Sequence, residues 1–292
     1  MNKIASIILI IFLVVISSIT IVTMVLLINN GFDFGSFFNF HMDLVDTYEI
    51  EADKINELNV KFSSSEIEVQ RGTGKLKVEY YSNKDIKPLF KNEKNSLTVE
   101  KDEKNQCHFF CINRSKLIVY LPDEYDGTIN VNTNSGSVNF ETDYTNNNIN
   151  INVHSGSVHL KAVKQIDVNS SSGSIKVDKV LENANITVSS GSIKVGETNT
   201  GSIQASSGSI KIGTINDSAN IKASSGSISI DNFYIKNNST IEAKSGSVKV
   251  NHTDNCYIEG EANSGSVNIN NSDRKSNIEL KVKTSSGSIR IN

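Results

Sequence analysis

Apolar and polar residues alternate around a recurring Ser-Gly-Ser tripeptide in the C-terminal half of the chain. The second and fourth residues after each glycine are Val, Ile, Leu or Phe, and the residue between them is Asn, His, Lys, Ser or Arg. Before the glycine, the fifth position back is Val or Ile in eight of nine copies, and the third back is mostly small. A period of two predicts a short strand with one buried face on each side of the glycine.

The inward positions are odd-numbered before the glycine and even-numbered after it, so the alternation shifts by one residue at the tripeptide. This shift predicts a corner or bulge, where glycine tolerates the positive φ that costs other residues free energy. The glycines recur every 17 to 22 residues. They are Gly136, Gly156, Gly173, Gly191, Gly208, Gly226, Gly246, Gly265 and Gly287.

Two strands in about eighteen residues are too few for a propeller blade, which needs four strands in about forty residues. The repeat therefore predicts an all-β fold, a parallel β-solenoid over residues 129–292 whose successive coils stack on one another. A degenerate coil nearer the N-terminus brings the total to about ten short coils. Because parallel crossovers are almost always right-handed, we expect a right-handed solenoid.

The serines that flank every glycine are predicted to have a structural role. Eighteen equivalent serines, with no recurring His or Asp beside them, do not form a nucleophilic site, which needs one serine with a base and an oxyanion site. Small hydroxyl side chains suit turns, where they can bond to nearby backbone. The array is therefore predicted not to be an enzyme.

Residues 47–128 predict an irregular β cap. Residues 60–69 follow the repeat pattern with Ser65 in the glycine position, as in a degenerate first coil, and terminal repeats of solenoids are commonly atypical. Further strand-like runs occupy residues 75–81, 96–100 and 116–121.

The N-terminus predicts a membrane anchor. Residues 4–28 carry no charge and are long enough as a helix to span a bilayer, with residues 1–3 as a cytoplasmic stub. After the span, several acidic residues precede Lys54, the first lysine on that side, so the positive-inside rule places the C-terminal domain outside the cell. Residues 29–46 would form an aromatic juxtamembrane stalk. The alternative is a cleaved signal peptide, although no small-residue cleavage site follows.

Cys107 and Cys111 are the one local pair with candidate chemistry. Outside the cell, a disulfide between them would close a loop tip. Unpaired thiols remain an alternative, as does zinc, for which four nearby ligands are lacking. Cys256 is left over and is interpreted as a small apolar residue.

Charge narrows the classes of partner. The formal net charge of −3 gives no field that favours nucleic acid. However, Lys176, Lys194, Lys211 and Lys249 occupy the same outward position of their repeats, and we call them the lysine column. The column could bind an anionic cell-wall polymer or lipid headgroups. Alternatively, these lysines only keep a long sheet soluble. Calcium, zinc-protease and phosphate-loop motifs are absent from the sequence, so no cofactor or metal is predicted.

The repeat Ile-x-Ala-Ser-Ser-Gly-Ser-Ile-x-Ile, its entry through Val-Tyr-Leu-Pro122 and the N-terminal apolar segment resemble the bacterial putative-adhesin family. This is a domain of unknown function on Gram-positive envelope proteins, and the resemblance covers about residues 45–292. It implies a β-solenoid displayed at the cell envelope. No catalytic residues accompany the family.

Together, these features predict a single-pass membrane protein whose extracellular β-solenoid is a non-catalytic structural or binding module of the envelope. One alternative is an accessory role in envelope-stress sensing through a membrane protein partner. Another is a carbohydrate-active β-helix enzyme, which would need clustered charged residues in a groove on one face.

Overall fold

The computed structural model describes residues 12–23, 25, 41–101, 114–254 and 256–292. Residues 12–23 and 25 are helical. From residue 43 onward, the described chain forms a 21-stranded sheet with one short 3-10 turn, Ala52–Lys54. The strands are β1 (Asp43–Ile50), β2 (Glu57–Ser64), β3 (Glu66–Gly72), β4 (Leu76–Ser82), β5 (Pro88–Glu93), β6 (Ser96–Lys101), β7 (Ser115–Pro122), β8 (Thr128–Ser135), β9 (Val138–Phe140), β10 (Tyr144–Ser155), β11 (Val158–Ser172), β12 (Ile175–Ser190), β13 (Ile193–Ser207), β14 (Ile210–Ser225), β15 (Ile228–Phe233), β16 (Ser239–Ser245), β17 (Val248–Thr253), β18 (Tyr257–Ser264), β19 (Val267–Ile269), β20 (Glu279–Ser286) and β21 (Ile289–Ile291).

Strands β8 to β21 stack in parallel, repeat upon repeat. Ile175 pairs with Ile193, which in turn pairs with Ile210, so equivalent residues of successive repeats lie in register. The predicted all-β solenoid is confirmed. Its handedness stays a prediction. Each coil is named below by the residue at its corner, for example the Gly191 coil.

The core is a continuous column of apolar side chains inside the solenoid. The four inward positions expected from the sequence are buried in most coils. Two further positions, seven residues before and seven after the corner glycine, also point inward. Examples are Ile166 and Val180, which are both 1% exposed. The alternation around the glycine did not predict these two further inward positions.

The coils do not all stack in chain order, which corrects the expectation that successive coils are neighbours. Strand β20 pairs with both β16 and β18, so the Gly287 coil lies between the Gly246 and Gly265 coils. The composition of the two coils gives a physical reason. Gly260 leaves an inward position of the Gly265 coil without a side chain, whereas Val282 fills that position in the Gly287 coil and is fully buried. The better-filled coil is therefore the interior one.

The N-terminal end of the stack is similarly interleaved. Strand β2 pairs with β8 on one side and β6 on the other, and β3 lies between β9 and β7. Antiparallel strands extend the sheet beyond β6 and β7. Strand β5 pairs with β6, strand β4 pairs with β7, and β1 pairs with β4. Aromatic side chains of these strands pack together. The Tyr48 and Phe90 rings stack with their centroids 4.7 Å apart, and the centroids of the Phe62 and Tyr80 rings are 5.7 Å apart. These contacts cap the apolar column.

The segment expected to be a stalk ends earlier than the sequence indicated, since β1 begins at Asp43 and pairs with β4. Among the residues that the structure describes, no helix has the length and apolar character needed to cross a membrane. Much of the span predicted at residues 4–28 lies outside the described residues, and so do Cys107 and Cys111 with their predicted disulfide.

Candidate functional site

The repeated Ser-Gly-Ser forms the sharpest corner of each coil. All nine glycines have φ between 127° and 155°, in the region that side chains rarely adopt. They also lie against one another. A Cβ on any of them would lie 1.7 to 2.3 Å from the carbonyl oxygen of the corner residue of a neighbouring coil. At the first coil, Ser65 replaces glycine, and its hydroxyl instead contacts the hydroxyl of Ser115 at 2.5 Å.

The corner serines contribute less than the sequence suggested. Among the described residues, serine hydroxyls accept hydrogen bonds from corner backbone only near the C-terminal end. Ser247 N donates to Ser227 Oγ at 3.3 Å, and Ser288 N donates to Ser247 Oγ at 3.3 Å. Elsewhere, the coils are joined at this edge by backbone bonds such as Gly191 N to Ser207 O, 2.8 Å. The corners therefore hold the solenoid together and present no reactive group.

The lysine column lies on the outer face of the strand that follows the corner. Lys176, Lys194 and Lys211 are exposed and occupy adjacent strands in register. Beyond Lys211 the column continues through Ser229 to Lys249. Because the Gly287 coil is interleaved, the neighbour of Lys249 is Arg290, which extends the positive charge by one strand.

The members of the lysine column differ in their electrostatic surroundings. Lys176 Nζ lies 3.4 Å from Asp178 Oδ1 and donates to His159 Nε2 at 3.0 Å. Within the described chain, no ion pair joins Lys194 or Lys211. The position occupied by Asp178 is Gly196 and Gly213 in their two coils. Among the described residues, Lys194 and Lys211 are therefore adjacent positive charges that no ion pair neutralises.

A second surface, which the sequence did not reveal, is a concave groove on the outer face of the strand that precedes the corner. Its volume is about 1210 Å³. The floor crosses β2, β8, β10, β11 and β12, and the hairpin of β5 and β6 forms a wall. We call this surface the polar groove. Its lining residues are Lys61, Phe62, Ser63, Leu89, Lys91, Glu100, Lys101, Asn132, Thr133, Asn134, Asn152, Val153, His154, Asn169, Ser170, Ser171, Thr187 and Ser189.

The lining of the polar groove does not favour glycoside hydrolysis. Such enzymes use two carboxyl groups flanking the bond that is cleaved. Glu100 is the one carboxylate among the lining residues, and it accepts a hydrogen bond from Lys91. In the part of the chain that the structure describes, no group of three His, Cys, Asp or Glu side chains could hold a metal ion.

Cys256 is a free, buried cysteine. Burial raises the pKa of its thiol above the ordinary value, and its Sγ lies 3.8 Å from Thr253 Oγ1. A buried thiol with a raised pKa is a poor nucleophile at neutral pH.

Comparison with known proteins connects this architecture to a family. The family model described as Toastrack DUF4097 matches residues 55–231 and 181–292. Among curated proteins, none matches the sequence.

Several solved structures resemble the chain. A crystal structure described as a putative lipid binding protein from Parabacteroides distasonis has 18% identity and a TM-score of 0.54, over 87% of this chain and 98% of that one. A putative adhesin from Bacteroides fragilis has 12% identity and a TM-score of 0.41, over 85% and 96% of the two chains. Another, from Parabacteroides merdae, has 18% identity and a TM-score of 0.35, over 73% and 95%. At 18% identity, the similarity to the Parabacteroides distasonis structure shows a shared fold and nothing more.

Proposed function

The chain belongs to the Toastrack DUF4097 family, and from this membership we propose that it is a non-catalytic binding module of the cell envelope. The structural neighbour from Parabacteroides distasonis carries the description putative lipid binding protein, which agrees with a binding role. The solenoid presents long regular faces and no paired carboxylates in the polar groove. Binding at an exposed face therefore suits this architecture better than catalysis.

The proposal includes a single-pass anchor at residues 4–28 and an extracellular solenoid. It is supported by the absence of charge in this segment and by the acidic residues that follow it. The Gram-positive origin implied by the family resemblance stays a prediction.

The observation that carries the binding role is the lysine column. Lys194 and Lys211 lie side by side on adjacent strands, which are spaced about 4.8 Å apart, and in the part of the chain that the structure describes neither lysine has an ion pair. Two like charges at this distance repel each other and contribute nothing to folding. An anionic partner would remove that repulsion. The chemistry that fits is a row of phosphate groups, whether in an anionic wall polymer or in lipid headgroups.

The test is a binding titration of the full chain in phosphatidylcholine nanodiscs. The probes are poly(glycerol phosphate) and a water-soluble short-chain phosphatidylglycerol, which distinguish the two sources of phosphate. Replacing Lys194 and Lys211 with serine is expected to weaken binding about thirtyfold at low salt, since each lysine near an anionic surface contributes about 1 kcal/mol.

The matched control replaces Lys222 and Lys244 with serine, which removes the same charge from the other face. It should leave binding unchanged. An equal loss in the control would mean that net charge alone governs binding. Unchanged binding in the Lys194 and Lys211 variant would overturn the role of the column.

A further inference from the structure

We propose that the polar groove is a second binding site, and that its ligand is an extended acidic polysaccharide. The sugar hydroxyls would lie along the amide and hydroxyl side chains of the floor, and a carboxylate of the polysaccharide would lie at the end of the groove that Lys61 and Lys101 line. This site is on a different face from the lysine column and does not depend on its role.

The shape of the groove suits a linear chain. Its floor crosses five adjacent strands, and parallel strands spaced about 4.8 Å apart give a track of about 20 Å. The strand spacing is close to the length of one pyranose ring in an extended polysaccharide. Equivalent side chains on successive strands could therefore meet equivalent hydroxyls on successive sugars.

The floor offers hydrogen-bonding groups that have no partner among the residues that the structure describes. Asn152 Nδ2 donates to Asn132 Oδ1 at 2.9 Å, which fixes both amides. Within the described residues, neither the Asn132 amino group nor the Asn152 side-chain oxygen makes a further hydrogen bond. In the described chain, no hydrogen bond involves the side chains of His154, Thr187 or Ser189. Neutral donors and acceptors with fixed spacing are the groups that bind sugar hydroxyls.

The end of the groove beside the hairpin is positively charged. Of its three lysines, Lys91 is paired with Glu100. Lys61 and Lys101 have no ion pair within the described residues. Lys101 is half-buried, and burial lowers the pKa of its amine below the ordinary value. A bound carboxylate would compensate this partly desolvated charge.

The remainder of the same outer face has a different composition. In the C-terminal coils, the row that contains Asn132 and Asn152 continues as Lys222, Glu242 and then Lys283. Those side chains can neutralise one another along the row. The uncharged part of the row coincides with the groove. In addition, Leu89 on the wall is 41% exposed and offers an apolar surface to the C–H side of a sugar ring.

Isothermal titration of the full chain in phosphatidylcholine nanodiscs tests the site. The probes are hexasaccharides of polygalacturonate, alginate and hyaluronate, a neutral galactan hexasaccharide, and hexaglutamate as an anion without hydroxyls. We expect at least one acidic hexasaccharide to bind more tightly than the galactan and hexaglutamate. Replacing Lys61 and Lys101 with serine should weaken that binding about tenfold.

Two matched variants separate the groove from the rest of the face. Ser171→Trp fills the groove and should abolish binding, whereas Ser224→Trp places the same ring at the equivalent exposed position outside the groove and should not change it. The Lys194 and Lys211 variant should also bind normally. The proposal is wrong if hexaglutamate binds as well as the best sugar, if Ser171→Trp has no effect, or if none of the acidic hexasaccharides binds.

Discussion

Gly191 has two features that only glycine satisfies. Its φ is 141°, and a Cβ at this position would lie 1.8 Å from the Gly173 carbonyl oxygen. The first feature is a property of the turn, whereas the second arises only when coils are stacked. Gly201 differs in both respects. It faces inward between Ala184 and Ala219, and a Cβ there would lie 3.4 Å from Ile203 Cδ1, an ordinary contact.

We therefore expect opposite effects from the same substitution at these two glycines. Gly191→Ala should lower the free energy of unfolding by about 3 kcal/mol, from backbone strain and the collision with the neighbouring coil. Gly201→Ala should raise it by about 0.5 to 1 kcal/mol, because alanine reduces the freedom of the unfolded chain. Urea denaturation measures both. Similar losses at the two positions would contradict the stacking explanation.

At this scale, the sequence predicted much of the structure. The nine glycines and the four inward positions around them could be recognised because they recur in every repeat. The inward positions seven residues from the corner could not, since Thr198, Gly201 and Ser239 interrupt their apolar character. Those residues are buried because neighbouring coils cover them, and a single repeat carries no signal of that.

At the scale of strands, the last coils share the same spacing of apolar residues but differ in the charge of their outward side chains. The outward row of the last coils runs Lys222, Glu242, Lys283 and Glu261, so that opposite charges alternate. Lys283 Nζ lies 2.8 Å from Glu261 Oε2. In chain order, Glu242 would lie directly beside Glu261, and like charges opposite each other destabilise a sheet. The position of β20 between β16 and β18 avoids that repulsion.

Replacing Lys283 with glutamate should therefore destabilise the C-terminal coils, since three carboxylates would lie on adjacent strands. The Lys283→Gln control removes the attraction without adding repulsion and should have a smaller effect. Urea midpoints at low and high salt measure both variants, and salt should narrow the difference because exposed charges are screened. Equal midpoints for the two variants at low salt would argue against the alternating row.

The strand order and the polar groove were beyond prediction for a related reason. The Gly265 and Gly287 coils have the same apolar spacing, so the sequence pattern permits either to stack on the Gly246 coil. The groove depends on where the hairpin of β5 and β6 lies beside β2, and that pairing joins residues from the irregular part of the chain to the regular array. Only the lysine column could be located beforehand, because its residues share one position in the repeat.

At the scale of the whole molecule, the two ends of the solenoid are built differently from its middle. In the middle, each coil follows its predecessor in both sequence and space. At the C-terminal end, β18 pairs only with β20 among the described strands, and β19 only with β21. The outermost coil thus depends on the last fourteen residues, 279–292, for its contact with the stack.

Truncation should reveal this dependence. A chain that ends after residue 277 should expose residues 257–277 to limited proteolysis, because β18 and β19 have lost their partners. A shorter chain that ends after residue 253 should resist proteolysis through the Gly226 coil as the full chain does, since it keeps an uninterrupted stack. Mass spectrometry of the fragments measures both. Protection of residues 257–277 in the longer truncation would mean that this coil stacks on the Gly246 coil directly.

The interleaved end also imposes an order of assembly. As the chain is synthesised, residues 257–269 emerge before residues 279–291, although they occupy the more distant place in the stack. They must wait, with their strand edges uncovered, until the following segment has docked. The outermost coil therefore cannot dock as soon as it has been synthesised, and its docking begins only when residues 279–291 have followed it.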